Sequence, residues 1–135
     1  RLLLVEDNDL NREIAAEFLT MGDMEFDTAV NGQIAVDHFL ASAPGTYDAI
    51  LMDLQMPVKD GLTATREIRA SNHEQAETIP IIAMTANAFE EDVKRCFNAG
   101  MNAHLAKPLD LKRMLGTIED VVRKNRDGSR KYEKE

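Results

Sequence analysis

The sequence has one cysteine, Cys96, so no disulfide can close within it, and that usage suits a reducing compartment. Glycine and proline number only 7 and 4, and no low-complexity tract appears, which excludes a chain disordered throughout. No apolar run approaches the roughly 20 residues that cross a bilayer, and no signal-peptide pattern stands at the start. Positive charge is short as well: 16 Lys and Arg against 24 Asp and Glu leave a net charge of -8. That balance argues against a nucleic-acid surface, which needs a basic patch, and reads as a solvated acidic exterior. Neither a Gly-x-Gly-x-x-Gly turn nor a Walker-type lysine loop follows the first apolar run, which argues against a nucleotide site. The chain begins at Arg1 and runs at once into apolar residues, and we expect it to be a piece of something longer.

What is present is enough for one core: 44% of the 135 residues are hydrophobic. Short apolar runs alternate with stretches of helical period. Leu2–Val5 is a continuous apolar run, as in a strand covered on both faces. Leu10, Ile14, Phe18 and Met21 then recur at three and four residues, and predict one helical face ending near Gly22. A weaker strand is expected at Glu25–Val30 and a helix at Gln33–Ala41. Asp48–Met52 delivers the chain to Asp53, and Leu62 and Ile68 mark a third helix closed off by the polar stretch Ser71–Thr78. Ile79–Met84 reads as a strand. Asn87 with Glu90 resembles a capping box for a helix carrying Phe89, Val93 and Phe97. Ala103–Ala106 is a short fifth strand, and Asp110 can cap a last helix carrying Leu111, Leu115, Ile118 and Val122. Strict alternation of five strands and five helices predicts a single α/β domain, a doubly wound parallel sheet with helices on both faces. The charged tail from Arg123 is expected to fray or to extend the last helix.

Ligands of such sheets bind beyond the carboxyl ends of the strands. Read there, the first strand ends in Glu6-Asp7, the third in Asp53, the fourth in Thr85 and the fifth in Lys107-Pro108. Three carboxylates within about 5 Å repel by roughly 3 kcal/mol per pair at an effective dielectric near 20. One lysine cannot neutralise them, whereas a divalent cation can, and an all-oxygen donor set favours Mg²⁺. No His or Cys stands at those ends in zinc-ligand spacing. Asp53 is then the candidate nucleophile, able to hold a phosphoryl group as an acyl phosphate. Lys107, the Thr85 hydroxyl and loop amides, those of Leu54 and Ala86, would share the charge of the transferring group.

The stretches Leu3-Leu4-Val5-Glu6-Asp7-Asn8, Leu51-Met52-Asp53-Leu54-Gln55-Met56-Pro57, Asp60-Gly61, Pro80-Ile81-Ile82-Ala83-Met84-Thr85-Ala86 and Lys107-Pro108 stand in order. Over about residues 1–124 this resembles the response-regulator receiver domain, with its flavodoxin-like fold. The wording Glu-Asp-Asn and Met-Thr-Ala-Asn-Ala is most similar to receivers fused to hybrid sensor histidine kinases. The resemblance implies that Asp53 accepts phosphate, that Asp7 binds the metal directly and Glu6 through water, and that the Gln55 carbonyl completes the set. It implies that Lys107 binds the phosphoryl group, with a cis peptide between Lys107 and Pro108, and that Thr85 moves on activation. Where the family usually has an aromatic partner for that motion, this chain has His104, expected to switch in its stead. The implied donor is a phosphohistidine, on a kinase dimerisation domain or a histidine phosphotransfer protein. Cytoplasmic placement, a parent chain compatible with anchorage in the inner membrane, and a monomer or weak phosphorylation-dependent dimer are implied too. Direct contact of this domain with nucleic acid or membrane is not.

Blander readings stand beside these. Asp9 would cap an ordinary helix, His38 and His73 would be surface or half-buried residues without partners, and Cys96 a small filler on a helix face. The methionines would be core material. Asp7-x-Asp9-x-Asn11 starts like a calcium loop, but Arg12 and Phe18 occupy the positions that need Gly and Glu. A dehalogenase-type hydrolase would need a proton donor two residues beyond Asp53, where Gln55 stands.

Overall fold

The computed structural model describes residues 1–86 and 90–132. The chain alternates β1 (Leu2–Val5), α1 (Asp9–Met21), β2 (Phe26–Ala29), α2 (Gly32–Ala41), β3 (Ala49–Asp53), α3 (Gly61–Arg69), β4 (Ile81–Thr85), α4 (Glu90–Ala99), β5 (Ala103–Ala106) and α5 (Leu111–Tyr132). The five strands form one parallel sheet in the order β2-β1-β3-β4-β5. This is the doubly wound arrangement that the alternation predicts. The three continuous apolar runs are its central strands, and every residue of β1, β3 and β4 is buried.

Alternation along the strands divides the core in two. Leu3, Val5, Ile50, Met52, Ile81 and Ala83 pack with Val36, Phe39, Ala64, Ile68 and Cys96 of α2, α3 and α4. Leu2, Leu4, Ala49, Leu51, Ile82 and Met84 pack with Ala15 and Leu19 of α1 and with Met114 and Ile118 of α5. The apolar stripe expected to bury α1 does not do so. Ala15 and Leu19 are its buried residues, Phe18 is half-buried, and Leu10, Ile14 and Met21 are exposed. The helix sits close to the sheet on small and medium side chains, which rotates the larger ones outward. Met21 is therefore not core material.

Four helices begin at the same pole, each with a side-chain cap. Asn8 accepts from Asn11 N–H at 2.9 Å, Asn31 from Ile34 at 2.9 Å, Asp60 from Thr63 at 2.8 Å and Asp110 from Arg113 at 2.9 Å. The cap of α1 is thus Asn8, not Asp9, because Asn8 holds the extended backbone that lets its side chain reach forward. The capping box expected at Asn87, with Phe89, lies outside the described residues. The fourth strand starts two residues later than expected, at Ile81, beyond the turn that ends in Ile79-Pro80.

Arg69, the last residue of α3, closes the far side of the sheet. Its guanidinium donates to Gly100 O at 2.7 Å, Ala76 O at 3.0 Å and Asn102 Oδ1 at 2.9 Å. Asn102 Oδ1 also accepts from Ile81 N–H, and its own N–H donates to Ile81 O, both at 2.8 Å. Gly100 holds φ +108, and a Cβ there would press on the Arg69 side chain at 2.9 Å. His73, expected to lack partners, lies on Phe39 at 4.2 Å between centroids, bonds Ser42 O through Nε2, and accepts from Gln75 N–H at Nδ1. A turn residue thereby staples two loops, which the sequence pattern does not betray.

Replacing Arg69 by Ala leaves several carbonyls without their donor. It is expected to cost about 2–4 kcal/mol, read as a lowered urea midpoint at unchanged slope. A loss below about 0.5 kcal/mol, the usual range for a surface change, would show that solvent replaces the clamp.

Candidate functional site

The register of the sheet builds the site. Leu4 lies opposite Leu51 and Val5 opposite Met52, so the residues that follow, Glu6 and Asp53, come side by side at the ends of β1 and β3. Pairing continues past β1, since Glu6 N–H donates to Ala29 O at 3.0 Å. Both side chains are deeply placed, Glu6 being 2% and Asp53 3% exposed. Asp7, half-buried, brings a third carboxylate: one oxygen each from Glu6, Asp7 and Asp53 lie within 4.8 Å of one another. Among the described residues this is the one acidic, His or Cys cluster so compact.

Lys107 directly follows β5 and is joined to Pro108 by a cis peptide. Its N–H donates to Thr85 O at 2.8 Å, which ties the loop to the end of β4. Its ammonium bridges the carboxylates, reaching Glu6 Oε1 at 2.9 Å and Asp53 Oδ1 at 3.1 Å. Burial works against the lysine's charge, but the bond to Glu6 and the charge of Asp53 more than offset it, and its pKa is raised. Burial is also the largest influence on Asp53. With Glu6 beside it and Lys107 only partly compensating, its carboxyl is pushed up to about 7.

Thr85 is buried at the end of β4, and His104 pairs with Ala83, two residues before it. The His104 ring meets half-exposed Phe97 of α4 edge-on at 6.5 Å between centroids. Gln55 is exposed on the loop after β3, and with Leu54, Met56, Thr85 and Arg95 it lines a cavity of about 510 Å³ beside the site. The Leu54 amide donates to Met84 O at 3.2 Å, because the β3–β4 ladder runs one residue past Asp53, so that N–H is engaged by the sheet. The sequence also hides two supports. Arg12 donates to Glu6 O at 3.0 Å and pairs with Asp9, fixing the turn after β1. Gly61 stands so close to the backbone of Asp53 that a Cβ would collide with the Asp53 carbonyl oxygen; the Asp-Gly step after Pro57 is the available signal.

An open parallel sheet with an acidic, lysine-bridged cluster at its switch point has the layout of a flavodoxin-like α/β domain with a hard-cation site. Residues 2–119 match the model of the response regulator receiver domain, and the chain belongs to that family, which serves two-component signalling. It is 38% identical over 130 residues to histidine protein kinase 1 of Candida albicans, covering 90% of this chain and 5% of that protein. To the osmosensing histidine protein kinase SLN1 of Saccharomyces cerevisiae it is 39% identical over 112 residues, 81% of this chain and 9% of that protein. The chain thus spans a small fraction of the kinases it matches. Among solved structures, the receiver domain of sensor histidine kinase PA1611 from Pseudomonas aeruginosa PAO1, with magnesium coordinated in its active-site cleft, superposes with TM-score 0.80. The identity there is 40%, covering 90% of this chain and 95% of that one. The receiver of the yeast response regulator Ssk1, crystallised with the histidine phosphotransfer protein Ypd1, gives TM-score 0.78 at 30% identity, covering 91% and 88%. Among the described residues no helix is long and apolar enough to cross a membrane.

The raised Asp53 pKa makes a stability test. In the open chain this carboxyl ionises near 3.8 and in the fold near 7. Its contribution is therefore fully present below about pH 4 and lost as pH rises towards 7. In chelator, Asp53→Asn is expected to be more stable than the parent at pH 7.5 by on the order of 1–2 kcal/mol, the gain disappearing near pH 4. Denaturant titrations at both pH values read it, and a gain independent of pH would exclude the carboxylate's ionisation as its source.

Proposed function

We propose that Asp53 accepts a phosphoryl group from a phosphohistidine, and that the domain acts as a switch or relay station in a phosphorelay. The observation that carries this reading is the Lys107 ammonium seated between Glu6 and Asp53. It holds a buried carboxylate oxygen in place as nucleophile and provides a cation for the incoming oxygens. In the transfer, an Asp53 Oδ–P bond forms as the donor's N–P bond breaks, and the electron pair leaves with the imidazole. Lys107 moves its contact from carboxylate to phosphoryl oxygens, and the Thr85 hydroxyl and Ala86 amide meet the others. The Leu54 amide joins them only by releasing Met84 O.

The residues fit Mg²⁺. Three carboxylates crowd within reach of one ion, two of them buried, with one ammonium among them and all donors oxygen. Asp7, Asp53 and the Gln55 carbonyl would hold it, with Glu6 acting through water. When bound it supplies positive charge against the equatorial oxygens and relieves the mutual repulsion of the carboxylates. His104, beside β4 on the strand that precedes Lys107, takes the switch role, moving when the Thr85 hydroxyl turns to the phosphoryl group. Residues 1–124 form the receiver unit, beyond which α5 runs on to Tyr132.

The partner is a histidine phosphotransfer domain or the dimerisation domain of a histidine kinase. The likeness to kinases far longer than this chain supports origin in a hybrid histidine kinase, with this domain in the cytoplasm. The exposed stripe Leu10, Ile14 and Met21 on α1, which starts beside Asp7, is an apolar surface suited to a partner helix. Monomer, or weak dimer on phosphorylation, is the state that accompanies this reading.

Incubation with Mg²⁺ and acetyl phosphate should add one hydroxylamine-labile phosphoryl group, seen by intact mass, and Asp53→Asn should reduce labelling to background. Undiminished labelling of the Asn variant would move the acceptor elsewhere. Separately, Mg²⁺ alone should raise the thermal midpoint, and Asp7→Ala should shift the concentration needed by roughly tenfold or more. A midpoint indifferent to Mg²⁺ would remove the metal from the site.

A further inference from the structure

α1 and α5 cover the same face of the sheet. Because every strand is parallel and strands alternate with helices, the two helices also run in the same direction. Leu115 of α5 packs on Gly22 at the end of α1, where a Cβ would stand 2.7 Å from the leucine's Cδ2. That contact sets the height of one helix against the other. Beside it, Met21 and Gly116 are both exposed. One turn nearer the acceptor pole, each helix carries an exposed charge, Glu17 on α1 and Lys112 on α5.

Each helix also has an open hollow. On α1 it is lined by Ala16, Thr20 and Met21, and its charged residues, Glu13 and Glu17, are both acidic. On α5 the hollow at Gly116 is flanked by Lys112, Arg113 and Arg123. Two acids line it as well, but one of them, Asp120, is already held by Arg123 and Lys124 at 3.0 and 3.1 Å. Among the described residues, Glu13, Glu17, Lys112 and Arg113 form no ion pair. Gly116 is a separate observation. A helix interior disfavours glycine, and nothing lies within 4 Å of the place its Cβ would take, so packing inside the domain does not require it. What the missing side chain does allow is close approach of another surface to the helix.

A face that is acidic on one helix and basic on its neighbour is complementary to itself once turned over. We propose that this face seats a second copy of the same chain, with α1 of each copy laid on α5 of the other about a two-fold axis parallel to the helices. Such an axis preserves height. Met21 of one copy therefore enters the hollow at Gly116 of the other, and Glu17 meets Lys112, each contact forming twice. Asp53 takes no part, so the proposal does not depend on the acceptor reading above.

Sedimentation equilibrium of the whole chain should show a monomer–dimer equilibrium by about 1 mM protein, weaker at high salt. Glu17→Lys and Lys112→Glu, each alone, should weaken it about tenfold or more, because each sets like charges together at both contacts. An equimolar mixture of the two variants should recover the association of the unaltered chain, since every lysine then meets a glutamate. Variants that stay monomeric when mixed overturn the arrangement, and so does an unaltered chain still monomeric at about 1 mM. Gly116→Gln gives the helix a better former, and should raise the thermal midpoint of the dilute chain while weakening association about tenfold. A glutamine variant that associates undiminished overturns the approach at Gly116, and the proposal with it. Asp53→Asn should associate as the unaltered chain does, so that loss of labelling by acetyl phosphate and loss of association are read apart.

Discussion

Glu6 and Asp53 are two buried carboxylates held next to one another, and left to themselves they would separate into water. The parallel register of β1 against β3 forbids it. Once Leu4 faces Leu51 and Val5 faces Met52, the following pair has no freedom to part. The hydrophobic burial of three central strands therefore stabilises an arrangement that electrostatics opposes, and Lys107 relieves the opposition only in part. Much else follows from that constraint. Gly61 has to let α3 approach the Asp53 backbone, Arg12 fixes the turn beyond Glu6, and four capped helix starts direct their N–H groups towards the same pole.

The legible parts of the structure are those in which one physical cause dominates. Continuous apolar runs can be satisfied only between two helical layers, so the central strands, the layer order and the polar residues at their ends were all readable. Where causes compete, reading by pattern fails. On α1 the apolar period names Leu10, Ile14 and Met21, yet close packing against the sheet selects Ala15 and Leu19, because helix-to-sheet distance depends on the smallest side chains. A period cannot tell a core face from a binding face, since both are apolar.

Contacts between residues distant in sequence were illegible for a different reason. His73 acquires partners at Ser42 and Gln75, and Arg69 at Ala76, Gly100 and Asn102, only after the loops have been placed by the sheet. The Leu54 amide belongs to the same group: whether it faces a ligand or the next strand depends on where the ladder stops. The carboxylate cluster was readable in spite of similar separation, because strand ends are positions that topology itself brings together.

The Arg69 clamp has a mechanical consequence for the helix it holds. Its grip on the Gly100 carbonyl fixes the chain just past the C-terminal end of α4, while the opposite end of that helix points to the acceptor pole. That anchor, with Cys96 and Ala99 buried beside it, holds the C-terminal half of α4 against sliding. Phe97, about one turn before that anchor, therefore meets His104 edge-on from the part of α4 whose position Arg69 fixes most firmly.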